Sequence, residues 1–243
     1  MYCHEEAPRQ HDFIHGVPPG ADRLTVTRKQ KNRFNRNWMN RHINDGYVKK
    51  ARQEGFRARS VYKLDEIDRK DKILKPGMNV IDLGAAPGGW SQYVTKVLAG
   101  KGRLIAIDLL AMDDIEGADI LVGDFTHAEI QQQIDGLLAG DKPDLVISDM
   151  APNLSGIQAV DQARSIGLAE EVLHWCLPRL VQNGTLLVKV FQGSGFDQLR
   201  AQMLKHFRSV AVRKPGASRS SSAEVYLLAR GYRSEQVCIG NGR

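Results

Sequence analysis

Residues Val80 to Trp90, Val-Ile-Asp-Leu-Gly-Ala-Ala-Pro-Gly-Gly-Trp, read as an apolar strand that passes through a glycine-rich turn into a helix. A turn of this kind binds a nucleoside. Gly84, Gly88 and Gly89 let the backbone approach a ligand closely, and the helix beyond offers unpaired amides at its N-terminus. The spacing departs from the dinucleotide fingerprint: no glycine stands two positions after Gly84, and Pro87 fixes φ where a loop wrapping a pyrophosphate needs freedom. A nucleoside ligand without a pyrophosphate is therefore expected, which speaks against a nicotinamide-dependent oxidoreductase.

Further charged residues close other apolar runs. Asp108 ends the run after the turn, about 24 residues beyond Gly84, where an acid binds ribose hydroxyls. Asp124, in Gly-Asp-Phe, is placed to hold an adenine amino group. Asp149 follows Asp-Leu-Val-Ile-Ser, and Lys189 sits inside Leu-Leu-Val-Lys-Val-Phe, where a buried strand normally carries no charge. Glu224 opens the last apolar run. Taken singly, a strand-end Asp is most often a turn residue, and a Lys there most often snorkels to water. Only a shared position in the fold turns these residues into a site.

The elements that must position them alternate. Strand patterns cover 79–83, 103–108, 120–122, 144–148, 185–190, 209–212 and 225–229; helix patterns cover 90–98, 129–139, 163–180 and 196–207, the last with Phe196, Leu199, Met203 and Phe207 at helical spacing. Repeated βα units predict a parallel sheet covered on both faces, with ligands beyond the carboxyl ends of its strands. The connector Lys-Pro-Gly-Ala-Ser-Arg-Ser-Ser-Ser holds no helix, so the final strand is expected to run antiparallel. The expected fold is α/β, a class I (Rossmann-like) methyltransferase fold: a seven-stranded, mostly parallel sheet with one antiparallel strand and helices on both faces. In that layout Glu224 begins its strand on the edge where Asp149 and Lys189 end theirs. Lys63 joins them, because a short helix from Ser60 that feeds the first strand must begin near the same edge.

Charge is uneven along the 243 residues, whose net charge is +6. Residues 1–75 hold 18 Lys+Arg against 10 Asp+Glu, and within 23–63 the ratio is 13 to 2, with Phe34, Trp38, Tyr47, Phe56 and Tyr62 interleaved. Such a stretch suits phosphates and exposed bases. A second run, Lys205, Arg208, Arg213, Lys214 and Arg219, contains no acid; two such regions beside a neutral domain favour a polyanion. No apolar run approaches the ~20 residues that span a bilayer, and the first residues lack the apolar stretch of a signal peptide, so a cytoplasmic protein without membrane contact is expected. Cys3, Cys176 and Cys238 are too scattered for disulfides or a zinc site and read as free thiols; no metal is expected. Four segments follow: 1–30, a disordered extension; 31–75, a basic RNA-binding segment with helices; 76–232, the methyltransferase domain; and 233–243, a tail.

With these residues in place, the chain over about 35–232 resembles the FtsJ-type RNA ribose 2'-O-methyltransferases, the RrmJ or RlmE family of bacteria. The motifs that carry the resemblance are Arg-Ala-Arg-Ser-Val-Tyr-Lys-Leu, Asp-Leu-Gly-Ala-Ala-Pro-Gly-Gly-Trp, Ser-Asp-Met-Ala-Pro-Asn, Val-Lys-Val-Phe-Gln-Gly, and Arg-Lys-Pro followed by Glu-Val-Tyr. The resemblance implies a catalytic tetrad of Lys63, Asp149, Lys189 and Glu224. It also implies S-adenosyl-L-methionine as cofactor, held by Gly88, Trp90, Asp108, Asp124 and Asp149. As substrate it implies a uridine in the A loop of 23S rRNA within the assembled 50S subunit, methylated by a monomer. Lys189 either deprotonates the ribose hydroxyl or, protonated, steers its lone pair. Asn153 stands where an amino methyltransferase carries an aromatic, which favours an oxygen acceptor. Family members that act on tRNA or an mRNA cap share the tetrad, and an RNA-binding ribosome-assembly factor is the non-enzymatic alternative. The extension to about residue 30 exceeds that of compact bacterial members.

Overall fold

The computed structural model describes residues 45–219 and 222–234. The expectations for 1–30, for 31–44 and for 235–243 lie outside the described residues. Two short helices lead in. α1 (Gly46–Gln53) starts at Asp45, whose side chain accepts from the Tyr47 amide at 3.0 Å. α2 (Val61–Asp71) buries Val61, Leu64 and Ile67 and ends at Lys72 in a left-handed conformation.

The chain then alternates as its apolar periods require: β1 (Asn79–Leu83), α3 (Gly89–Leu98), β2 (Arg103–Asp108), β3 (Asp119–Val122), α4 (Ala128–Leu138), β4 (Leu145–Ser148), α5 (Gln158–Cys176), β5 (Thr185–Phe191), α6 (Phe196–His206), β6 (Phe207–Arg213) and β7 (Glu224–Tyr232). The seven strands form one sheet in the order β3-β2-β1-β4-β5-β7-β6. β1 to β5 are mutually parallel, and β7 runs antiparallel to both of its neighbours, as the helix-free connector requires.

Because successive side chains of a buried strand point to opposite faces, each strand feeds two cores. Ile81, Leu83, Ile105, Ile107, Val146 and Val188 pack under α4, α5 and α6. Val80, Leu104, Leu145, Ile147, Leu187 and Leu228 pack under α2 and α3. Element ends differ from the sequence expectation by a few residues, chiefly at α5, which begins five residues earlier and ends four earlier. The helix starts on polar Gln158 and stops where Pro178 follows, so apolar periodicity alone marks neither end. Among the described residues no helix is long and apolar enough to cross a membrane.

Candidate active site

The topology brings four charged residues to one edge. Asp149 immediately follows β4, and Ser148 pairs with Val188, the residue before Lys189 on β5. Lys189 in turn pairs with Tyr226, and Phe191 with Glu224, across the antiparallel β5–β7 pair. Lys63 rises from the first turn of α2. The result is two ion pairs: Lys63 Nζ lies 2.7 Å from Glu224 Oε1, and Lys189 Nζ lies 3.1 Å from Asp149 Oδ1. Lys189 also donates to the Asp149 carbonyl and is only 8% exposed. A buried ammonium persists only when paired and hydrogen-bonded, and here two acceptors hold it.

Sequence reasoning missed what joins the pairs. The Tyr226 hydroxyl donates to Asp149 Oδ1 at 2.6 Å and lies 3.5 Å from Glu224 Oε1. Its ring is fully buried, with Trp90 tilted against it at a centroid separation of 5.7 Å and the Lys63 ammonium 6.0 Å away. A signal was present: in Glu-Val-Tyr the first and third residues of a strand point to the same face. Burial, and then the charges of Asp149 and Glu224, raise the Tyr226 phenol well above its ordinary value, so it remains a donor. Ser218 Oγ adds a donor to Glu224 Oε1 at 2.9 Å. Burial pushes the Glu224 carboxyl up, but the charge and hydrogen bond of Lys63, with help from Lys189 and Ser218, outweigh it and hold it below the usual value. Lys63 and Ser218 converge on Oε1, with the Tyr226 hydroxyl 3.5 Å away; the second carboxylate oxygen accepts from none of the described residues. Arg59, Ser60, Lys63, Arg219, Ser222 and Glu224 line a cleft of about 360 Å³ here.

A second cavity of about 600 Å³ adjoins Asp149, within the range of small-ligand sites. Gly84, Asp108, Asp124, Phe125, Pro152 and Asn153 are among its walls. Asp108 accepts from the amides of Ala86 and Leu110 at 2.9 and 2.8 Å, one on each oxygen, which fixes its carboxylate at the wall. Asp124 accepts from the Thr126 amide and hydroxyl at 2.8 and 2.7 Å, and these bonds lower its carboxyl from the usual value. The loop bearing Pro152 and Asn153 is pinned by buried Asp161, which accepts from the Ser155 amide and hydroxyl and the Gly156 amide.

Two residues expected at the cofactor are not among the walls of this cavity. Trp90 is 2% exposed; its indole sits in the core and donates to the Ser60 carbonyl at 2.8 Å. Gly88 is the left-handed cap of α3 and does not line the cavity; a Cβ there would stand 2.7 Å from Ile115 Cδ1. Both shape the turn from behind. The second basic run is also partly engaged within the fold. Arg213 makes a bidentate pair with Asp71, both contacts at 2.6 Å, and Lys214 donates to the carbonyls of Ser222 and Glu224 at 2.5 and 2.7 Å.

Comparison with known proteins decides the family. Residues 56–232 match the model of the FtsJ-like methyltransferases. The ribosomal RNA large subunit methyltransferase E of Azoarcus sp. (strain BH72) is 52% identical over 199 residues, covering 82% of this chain and 97% of that protein. The chain belongs to the FtsJ-like methyltransferase family. The enzymes of the same name from Hahella chejuensis and Legionella pneumophila (strain Corby) are 50% and 47% identical, over 81% and 83% of this chain and 95% and 98% of theirs. A crystal structure of a ribosomal RNA methyltransferase from Plasmodium falciparum superposes with a TM-score of 0.68 at 27% identity, covering 73% of this chain and 98% of that one. As an FtsJ-like methyltransferase the protein takes its methyl group from S-adenosylmethionine. The lining of the larger cavity combines the fixed carboxylate of Asp108, apolar Phe125 and Pro152, and Asp149.

Proposed function

We propose that the protein methylates the 2'-hydroxyl of a uridine in the A loop of 23S rRNA, acting as a monomer on the assembled large subunit in the cytoplasm. The observation that carries this reading is that Lys189–Asp149, beside the larger cavity, and Lys63–Glu224, in the smaller cleft, are neighbours across the Tyr226 hydroxyl, since a methyl donor and a hydroxyl acceptor must meet in line. The names of relatives near 50% identity, ribosomal RNA large subunit methyltransferases, support large-subunit rRNA as the substrate class, and the family resemblance supports the uridine. All four charged residues come from one chain, so no second copy is needed.

Asp108, Asp124 and Asp149 would hold the donor, which supplies an electrophilic methyl on a sulfonium. Everything else falls to the protein. Positioning alone accounts for up to ~7–11 kcal/mol of barrier in well-oriented reactant pairs. Lys189, with two acceptors already satisfied by Asp149, has one N–H left to donate to the ribose oxygen and turn its lone pair toward the methyl. The unengaged oxygen of Glu224 accepts the hydroxyl proton's hydrogen bond, and Lys63 holds that carboxylate in place. As the O–C bond forms, the oxygen becomes strongly acidic, and its proton passes by way of Glu224 to solvent. Arg59 and Arg219 in the smaller cleft face the flanking phosphates.

Lys189→Ala tests the assignment. Methyl transfer to large subunits should fall to background while the affinity for S-adenosylhomocysteine, measured by calorimetry, stays within about threefold, less than 1 kcal/mol. Full activity in that variant would sink the proposal.

A further inference from the structure

Residues 57–60 lie as a strap across the glycine-rich turn, and the contacts they make look in two directions. On the cofactor side, Arg57 Nη1 donates to the carbonyls of Pro87 and Asp113 at 3.3 and 2.7 Å, and its Nη2 to the carbonyl of Asp114 at 2.8 Å. One planar guanidinium thus ties the turn to the middle of the loop that joins β2 to β3. That loop begins at Leu109 and Leu110, which line the donor cavity yet are 68% and 69% exposed. Gly88 is what permits the close approach: a Cβ there would lie 2.9 Å from Arg57 Nη1. On the substrate side, Arg59 and Ser60 line the cleft beside Lys63 and Glu224, and Arg59 is fixed by Asp45 and the Ala217 carbonyl.

The strap itself is held firmly. The Arg57 amide donates to Gln92 Oε1 at 2.9 Å, Gln92 Nε2 donates back to the Gly55 carbonyl at 3.2 Å, and Trp90 donates to the Ser60 carbonyl. Displacement of Arg59 or Ser60 by RNA would therefore reach Arg57, two or three residues away along this hydrogen-bonded segment, and ordering of the Leu109–Leu110 wall by a bound nucleoside would reach Arg59.

We infer that Arg57 is a positioning residue that couples the two substrates, so that the adenosyl ligand and the RNA each tighten the binding of the other. This rests on the proposed function only in taking the smaller cleft as the RNA side. Arginine suits the task because its planar fork holds carbonyls of two segments in one fixed geometry, whereas the ammonium of lysine is compact and sets no such geometry. Coupling of this kind is reciprocal by thermodynamic necessity, whichever ligand binds first.

The experiment measures binding of tritiated S-adenosylhomocysteine to the full chain by equilibrium dialysis, with and without an excess of unmethylated large ribosomal subunits, in wild type, Arg57→Lys and Arg57→Ala. Wild type should bind the ligand at least ~5-fold more tightly with subunits present, the lower end of ordinary coupling, and in both variants the ratio should drop to within about twofold of unity. Arg57→Lys retains the charge and is read on its own if Arg57→Ala does not fold. Gln92→Ala, which frees the strap without touching the guanidinium, should lower the ratio part-way. A ratio unchanged from wild type in Arg57→Lys overturns the latch, as does a wild-type ratio of one. Failure of wild type to bind subunits at all contradicts instead the reading of the smaller cleft as an RNA site.

Discussion

Replacing Asp82 with Asn should remove most of the pH dependence of this protein's stability between pH 5 and 8. Asp82 lies on β1, directly beneath the site, and is 1% exposed. One carboxyl oxygen accepts from Ser91 Oγ at 2.7 Å; the other is buried without a partner among the described residues. Burial pushes its carboxyl up to about 7 from 3.8, the Ser91 hydrogen bond opposes that rise, and the charges of Asp149 and Asp108 add to it. Between the two values the folded protein holds a proton that the unfolded chain has released. Stability must then fall as pH rises through this window and level off above about 7. A displacement of about three units corresponds to ~4 kcal/mol across the window, as an upper figure for a group so deeply buried. The asparagine carries no charge but leaves an amide hydrogen unpaired where the orphan oxygen stood, a cost of ~1–3 kcal/mol at every pH. The stability difference should therefore shift steadily in favour of Asp82→Asn as pH rises from 5 to 7, and the variant should exceed wild type at pH 8. Urea denaturation at 25 °C, read as the difference between the two proteins at each pH, cancels the other titrating groups. A difference that does not change with pH would refute the reasoning.

Tyr226→Phe keeps the buried ring and removes the hydroxyl that joins Asp149 to Glu224; loss of one hydrogen bond to a charged group, ~1.5–3 kcal/mol, should lower kcat about 10-fold or more while the donor's Kd moves little. A kcat within twofold of wild type would show that the bridge is structural only. Gly84→Ala sets a Cβ 2.1 Å from Met150 Cγ at φ +77°, so it should cost ~1–3 kcal/mol in urea denaturation and weaken S-adenosylhomocysteine binding, since both residues wall the cavity; unchanged calorimetric affinity counts against that cavity as the donor site. Affinity for large subunits should fall steeply and log-linearly with salt, as neutralised phosphates require, and a flat dependence contradicts an RNA contact through the basic residues.

Period and chain order made much of this legible. Short apolar strands that mostly alternate with helices leave few topologies, and the rule that ligands sit beyond strand ends draws Asp108, Asp149 and Lys189 to one edge. The helix-free connector before Val225 carried the further step, since only an antiparallel β7 brings Glu224 there. What escaped was whatever depends on the third dimension alone. The resemblance carries a donor contact onto Trp90, but where its indole lies, in the core with its N–H on the Ser60 carbonyl, is set by packing that no local pattern encodes. The basic run at 205–219 reads as a polyanion surface, yet Arg213 faces Asp71 from 142 positions away, a pairing that no local pattern encodes. Arg57 was visible in Arg-Ala-Arg-Ser but had no distinguishable role, because all three of its side-chain acceptors are main-chain carbonyls and leave no mark in side-chain identity.

The central claim is the transfer of methyl to one ribose oxygen of large-subunit rRNA. It is tested most directly by incubating the protein with methyl-labelled S-adenosylmethionine and unmethylated large ribosomal subunits, with naked rRNA and tRNA in parallel, and then mapping the labelled nucleotide. A single 2'-O-methyluridine in the A loop of 23S rRNA, formed on subunits in preference to naked RNA, is the expected result; label in tRNA, on a base, or on none of the three would contradict it.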